Sequence, residues 1–94
     1  MILRFTAAAK ADIQSIYDFI ARENQVAAGH VVSVIEVSTR RLAQFPLSGR
    51  EGAVETTREL VIPRLPYIAV YQVTAESVDV IAVFHAAQNK PRGG

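Results

Sequence analysis

The chain has no cysteine, which excludes a disulfide framework, a thiolate nucleophile and any cysteine-based metal site. It also lacks an apolar run near the ~18–20 residues needed to span a bilayer. Met1 to Phe5 is too short for the apolar region of a signal peptide, and the chain then turns polar and helical. A cytoplasmic protein is therefore expected, and the missing cysteines fit a reducing compartment. Net charge is only +1, so the molecule as a whole does not attract nucleic acid, and no sequence-specific DNA binding by this chain is expected. Repeats and low-complexity tracts are absent as well. A weak basic bias remains in the second half, ending with Lys90 and Arg92 on an unpatterned tail.

Several chemistries lack their residues. His30 and His85 are the two histidines, and neither stands in a metal-ligand pattern. The stretch "SGREG" has no P-loop lysine and does not follow a strand, so no phosphate cradle is predicted. There is no nucleophile elbow. Neither a cofactor nor a metal is expected.

What is present describes one folded domain. The chain has 94 residues, half of them hydrophobic and 20% charged, a balance typical of a globular chain with a modest core. "ILRF" at 2–5 reads as a strand, followed by Thr6 as a helix N-cap. Ala9, Ile13, Ile16, Tyr17 and Ile20 form the stripe of an amphipathic helix, with Asn24 as its stop. Residues 26–45 contain the β-branched run "VVSVIEV", which could be a strand on propensity. However, Ala28, Val31, Val32, Ile35, Leu42 and Phe45 mark one helical face, and Pro46 ends it. This segment is read as a second helix, antiparallel to the first. Val34 and Val37 then fall off the core face, either as ordinary exposed valines or as contacts for a partner.

"PLSGREG" at 46–52 reads as a turn-rich loop. Three strands follow, over 58–62, 67–73 and 78–84, and the tail "HAAQNKPRGG" from His85 is expected to fray, with 88–94 as a flexible end of the single domain 1–94. The order is β-α-α-β-β-β. The economical fold is α+β, a helical hairpin packed on an antiparallel sheet.

A set of polar residues lies in and just beyond that sheet: Arg50, Arg58, Arg64, Tyr67, Tyr71, His85, Gln88, Lys90 and Arg92. Metal-free RNA cleavage needs a base, an acid and cations for the phosphorane charge, and these are the right residue types. The plainer account is that Arg58 and Glu59 anchor a loop or neighbouring strand, and that the tyrosines pack with their hydroxyls at the rim.

Four segments in this order, "IYDFIARENQVAA", "RLAQFPLSGREG", "TRELVIPRLPYIAVYQV" and "VIAVFHAAQNKP", resemble the RelE/ParE superfamily of toxin–antitoxin toxins, in its ParE, or plasmid-stabilisation, branch. The likeness spans residues 3–91 and implies the same fold. Ribosome-dependent nucleases of that superfamily carry an arginine where this chain has Ile68 and another near Gln88. Their basic residues on the preceding strand fall near Glu59 and Val61. The ParE branch instead implies a DNA gyrase inhibitor without a catalytic centre, neutralised by an antitoxin encoded beside it. On that account Val34, Val37, Arg50, Arg58, Arg64, His85, Gln88, Lys90 and Arg92 are partner contacts. Two alternatives accompany it. One is a metal-independent endoribonuclease using Arg58, Tyr71 and His85; the other is a degenerate toxin that only binds its antitoxin.

Overall fold

Two side-chain caps set the helical hairpin. In the computed structural model, which describes residues 1–88, the Ala9 amide donates to Thr6 Oγ1 at 3.1 Å, and the Ala27 amide donates to Asn24 Oδ1 at 2.9 Å. Each cap satisfies an amide that the first helical turn leaves free. Helix α1 spans Ala7–Ala21 and α2 spans Gln25–Arg40. Asn24, expected to stop the first helix, thus starts the second. Its extended backbone breaks the helical run and its side chain initiates the next one.

The "VVSVIEV" segment is helical because one of its faces packs on α1 and the sheet. Ala28, Ile35 and Thr39 are buried along it, and Thr39 satisfies its hydroxyl on the Ile35 carbonyl at 2.9 Å. Tertiary burial outweighs β propensity here. The helix ends earlier than expected, at Arg40, and tightens into a 3-10 turn over Arg41–Ala43. The tightening keeps Leu42 buried but swings Phe45 off the apolar face, leaving it 57% exposed.

The strands are β1 (Ile2–Phe5), β2 (Arg50–Glu51), β3 (Arg58–Val61), β4 (Tyr67–Val73) and β5 (Ser77–His85), in the sheet order β1-β5-β4-β3-β2. A helical hairpin on one face of a sheet therefore holds, with β4 at the centre of the sheet. The sheet itself is mixed. Its other ladders are antiparallel, but β1 lies parallel to β5, in register from Ile2 opposite Ser77 to Phe5 opposite Val80. No short turn joins β1 to β5, so local sequence does not specify their relative direction. The two-residue β2 lies within the segment read as a loop. A register shift between Val70 and Tyr71 leaves Ile81 with no partner on β4, a β-bulge that turns the end of β5.

The helices cover the face bearing Tyr67, Ala69, Tyr71, Val78 and Val80, with Ile35 and Leu42 packed against it. Val34 joins this core as a partly buried residue, which corrects the expectation that it points away. Val37, 51% exposed, does point outward. Among the described residues no helix is long and apolar enough to cross a membrane.

Candidate functional site

The arginine at the entrance of β3 is tied to a loop. Arg58 stands opposite Tyr71 in the β3–β4 ladder. Its Nη2 donates to the carbonyls of Gly49 at 2.8 Å and Leu47 at 3.2 Å, while Nε donates to Gly49 at 3.1 Å. The Tyr71 hydroxyl donates to the Pro46 carbonyl at 2.8 Å and accepts the Gly49 amide at 2.9 Å. Position 49 has to be glycine for this arrangement, since a Cβ there would lie 2.6 Å from both the Glu59 carbonyl and the Tyr71 hydroxyl. The loop between α2 and β2 is thereby fastened to the sheet by two side chains from neighbouring strands.

The face of the sheet away from the helices carries paired charges. Arg4 and Asp79, opposite each other on β1 and β5, meet at 2.9 Å. Arg50 and Glu59, opposite on β2 and β3, also meet at 2.9 Å. The hydrogen bond from Arg4, helped by one from Ser77, holds the Asp79 carboxyl below its usual range despite some loss of hydration. The same bond and charge raise Arg4. Val70 lies opposite Glu59 and Ala82, and one pair further along this face of β4 lies Ile68, whose neighbours across the strands are Val61 and Phe84. It is only 7% exposed. The centre of this face is thus apolar, and the two arginines on its flanks are neutralised.

Two grooves border α1. One, of about 440 Å³, runs between the helices and is lined by Phe5, Lys10, Ile13, Tyr17, Val32 and Glu36. The other, of about 520 Å³, lies between α1 and the end of β5, with Asp12, Ser15, Phe19, Tyr67 and His85 on its walls. The Asp12 carboxylate accepts the backbone amide of Val83 at 2.9 Å. The His85 ring meets Tyr67 edge-on at 5.4 Å, and its Nδ1 accepts the Ala87 amide at 3.0 Å. Asp12, Ser15 and His85 share this groove without forming a relay, because the first and last are bonded to backbone.

The residues singled out from sequence do not converge. Arg58 and Tyr71 are together and bonded to the same loop. His85 lies opposite Tyr67, four residues from Tyr71 along β4 and hence roughly 13 Å away. Arg64 is exposed on the turn between β3 and β4, Arg50 is held by Glu59, and Val37 is on the outer side of α2. Gln88 closes a 3-10 turn that begins at Ala86. Lys90 and Arg92 lie outside the described residues. Asp12, Ser15 and Phe19 were not singled out. Phe19 offered one clue, an aromatic off the apolar stripe of α1, and it is 66% exposed beside the second groove.

The sequence profile of the ParE toxin of the type II toxin–antitoxin system parDE matches residues 3–90. The chain belongs to the ParE toxin family. This ParE-family protein is 36% identical over 90 residues to a putative toxin, Y4kP, of Sinorhizobium fredii, covering 96% of this chain and 93% of the relative. It is 33% identical over 84 residues to toxin RelE2 of Caulobacter vibrioides, with 89% and 93% covered. Among solved structures, a chain of the chromosomal ParDE system from P. aeruginosa superposes with a TM-score of 0.81 at 25% identity, over 90% of this chain and 95% of that one. The YoeB/ParE toxin from Agrobacterium tumefaciens shares the fold, with a TM-score of 0.60 at 19% identity over 90% and 98% of the two chains. The chain is thus a type II toxin of the ParE branch, and that family implies a cognate antitoxin as partner.

Proposed function

We propose that this ParE-family toxin arrests growth by docking on DNA gyrase in the cytoplasm, and that an antitoxin encoded beside it neutralises it. The observation that supports a binding mechanism over RNA cleavage is how its charges are spent. Phosphoryl transfer from RNA needs cations aimed at the developing phosphorane charge, with an acid and a base within hydrogen-bond reach. Here Arg4 and Arg50 are neutralised by carboxylates, Arg58 is bonded to loop carbonyls, and Tyr71 is fully buried with its hydroxyl engaged. His85 is a strand length away from both. Ile68, where the nucleases of the superfamily carry an arginine, contributes only apolar surface.

A docking protein needs no assembled catalytic group, and among the described residues Arg58, Tyr71 and His85 do not form one. The antitoxin is expected to bind with nanomolar or tighter affinity, since a segment that folds on binding can bury of order 1,000–3,000 Å². Expression of the toxin under a tight promoter, with and without the neighbouring reading frame, tests the proposal. Trapped gyrase–DNA cleavage complexes should accumulate, and messenger RNA on purified ribosomes should stay intact. Codon-positioned mRNA cleavage that is lost in Arg58→Ala would overturn the gyrase reading and restore the nuclease. Growth without arrest would reduce the chain to an antitoxin-binding module.

A further inference from the structure

Phe45 and Leu47, just past the end of the second helical segment, are 57% and 66% exposed. The Phe45 amide donates to the Arg41 carbonyl at 3.0 Å, which extends the helical path one turn beyond α2. Val37, Arg41 and Phe45 thus follow one another at four-residue spacing along an outward ridge, all three exposed. Beside it, Arg41, Phe45, Leu60 and Pro63 line a depression of about 200 Å³, the size for a single side chain. Scattered exposed apolar residues are ordinary. These differ in lying on one ridge and its adjoining loop, and in being held still. Tyr71 bonds Pro46 and Gly49 of that loop, and Arg58 bonds Leu47 and Gly49. Fixing an apolar side chain before it meets a partner lowers the ordering cost of binding.

We propose that this ridge is the surface with which the toxin docks on its target enzyme, and that the target offers there an apolar side chain bordered by carboxylates. The inference rests on the gyrase reading above and specifies its contact. The charges identify the occupant. Arg41 stands in the wall of the depression and Arg64 is exposed next to Pro63, and among the described residues neither forms a salt bridge. An acidic rim on the partner complements them. A second copy of this chain does not fit, because two-fold docking sets the same patch against itself and brings like charges together. Bare DNA would engage the arginines through phosphate but leave Phe45 and Leu47 without an apolar counterpart. On the far side of Leu47, Glu51 and Glu55 line a separate cavity. The surface is therefore basic beside Phe45 and acidic beyond Leu47, which gives docking a direction. An aromatic anchor next to an arginine is the composition that dominates binding energy in protein interfaces.

The test uses the full chain with purified gyrase and supercoiled DNA, and reads the toxin concentration that gives half-maximal cleavage complex. Phe45→Glu and Leu47→Glu should each raise it by about 30-fold or more, the size expected for losing an anchor. Arg41→Glu should raise it by about tenfold or more. Val26→Glu alters an equally apolar position, 83% exposed at the start of α2, and should stay within about threefold. Circular dichroism verifies that each variant folds, and antitoxin affinity of Phe45→Glu should remain within about threefold. Parent-like potency of both Phe45→Glu and Leu47→Glu overturns the docking surface and leaves the gyrase reading standing. So does loss in Arg41→Glu alone, which would mark a phosphate contact, or loss of antitoxin binding in Phe45→Glu, which would assign the ridge to the antitoxin. Growth arrest by the parent without cleavage complexes overturns the gyrase reading; the ridge then stands if Phe45→Glu no longer arrests growth and falls if it does. Absence of arrest by the parent overturns both.

Discussion

Arg58 and Tyr71 face each other across β3 and β4, and both end on the same loop, between Pro46 and Gly49. The guanidinium takes the Leu47 and Gly49 carbonyls, and the phenol takes the Pro46 carbonyl and the Gly49 amide. Residues that suggested chemistry in the sequence thus hold the connection between the helical hairpin and the sheet edge. A charge-assisted bond to a carbonyl is stronger than a neutral one, which suits an arginine in that role.

The first prediction follows from this clamp. Tyr71→Ala should lower stability by ~3–5 kcal/mol in denaturant melts, the range for removing a buried aromatic. Tyr71→Phe keeps the ring but leaves the Gly49 amide and the Pro46 carbonyl without their partner. It should cost about 1–3 kcal/mol. A loss under ~1 kcal/mol for the alanine variant would contradict the burial of this residue.

The turn between β3 and β4 gives a gain instead. The Leu65 amide bonds the Ile62 carbonyl at 3.3 Å, Pro63 follows Ile62, and Arg64 has a φ of 65°. This is a type II turn whose third position favours glycine. Relief of the left-handed strain outweighs the added freedom of the unfolded chain, so Arg64→Gly should stabilise by about 0.5–1 kcal/mol. The same variant tests Arg64 as a partner contact, because weaker antitoxin binding in a more stable protein would assign it that role.

Acid should act through Asp79. Its folded-state carboxyl lies below its usual range because of the Arg4 bond, so the pair contributes stability above the unfolded value of about 3.9. That contribution declines as the pH falls below this value and is gone once the folded carboxyl is protonated, while Arg4 stays charged throughout. Urea midpoints measured from about pH 6 to about pH 2 should fall less steeply for Asp79→Asn than for the parent, by a small margin as befits an exposed pair. Equal slopes would show that the pair adds nothing in solution.

A final prediction concerns the C-terminal tail. Lys90 and Arg92 offer cations to an enzyme–DNA complex rich in phosphate. Truncation after Ala87 should abolish growth arrest while antitoxin affinity survives within roughly tenfold, or ~1.4 kcal/mol. Unchanged toxicity would move the gyrase contact off the tail, to the helical hairpin.

The local elements were legible because their causes are local. Thr6 caps α1, whose stripe repeats every three to four residues, Pro46 bars extension of the second helical segment, and Tyr67, Ala69 and Tyr71 alternate towards one face. The order of elements followed from those signals, whereas the ParE resemblance rested on four sequence segments in order. Three features depended on contacts between distant segments. The direction of β1 is set by Ile2–Phe5 lying beside Ser77–Val80, with no turn to announce it. Arg58 carries the same charge in a catalyst and in a clamp, and only its distance to the Gly49 carbonyl distinguishes the two. Asp12 reads as an ordinary polar residue on a helix until folding brings it to the Val83 amide, 71 residues away in the chain. Sequence periodicity encodes which side of an element is buried. What a polar side chain does is decided by the partner that the tertiary fold places within hydrogen-bond reach.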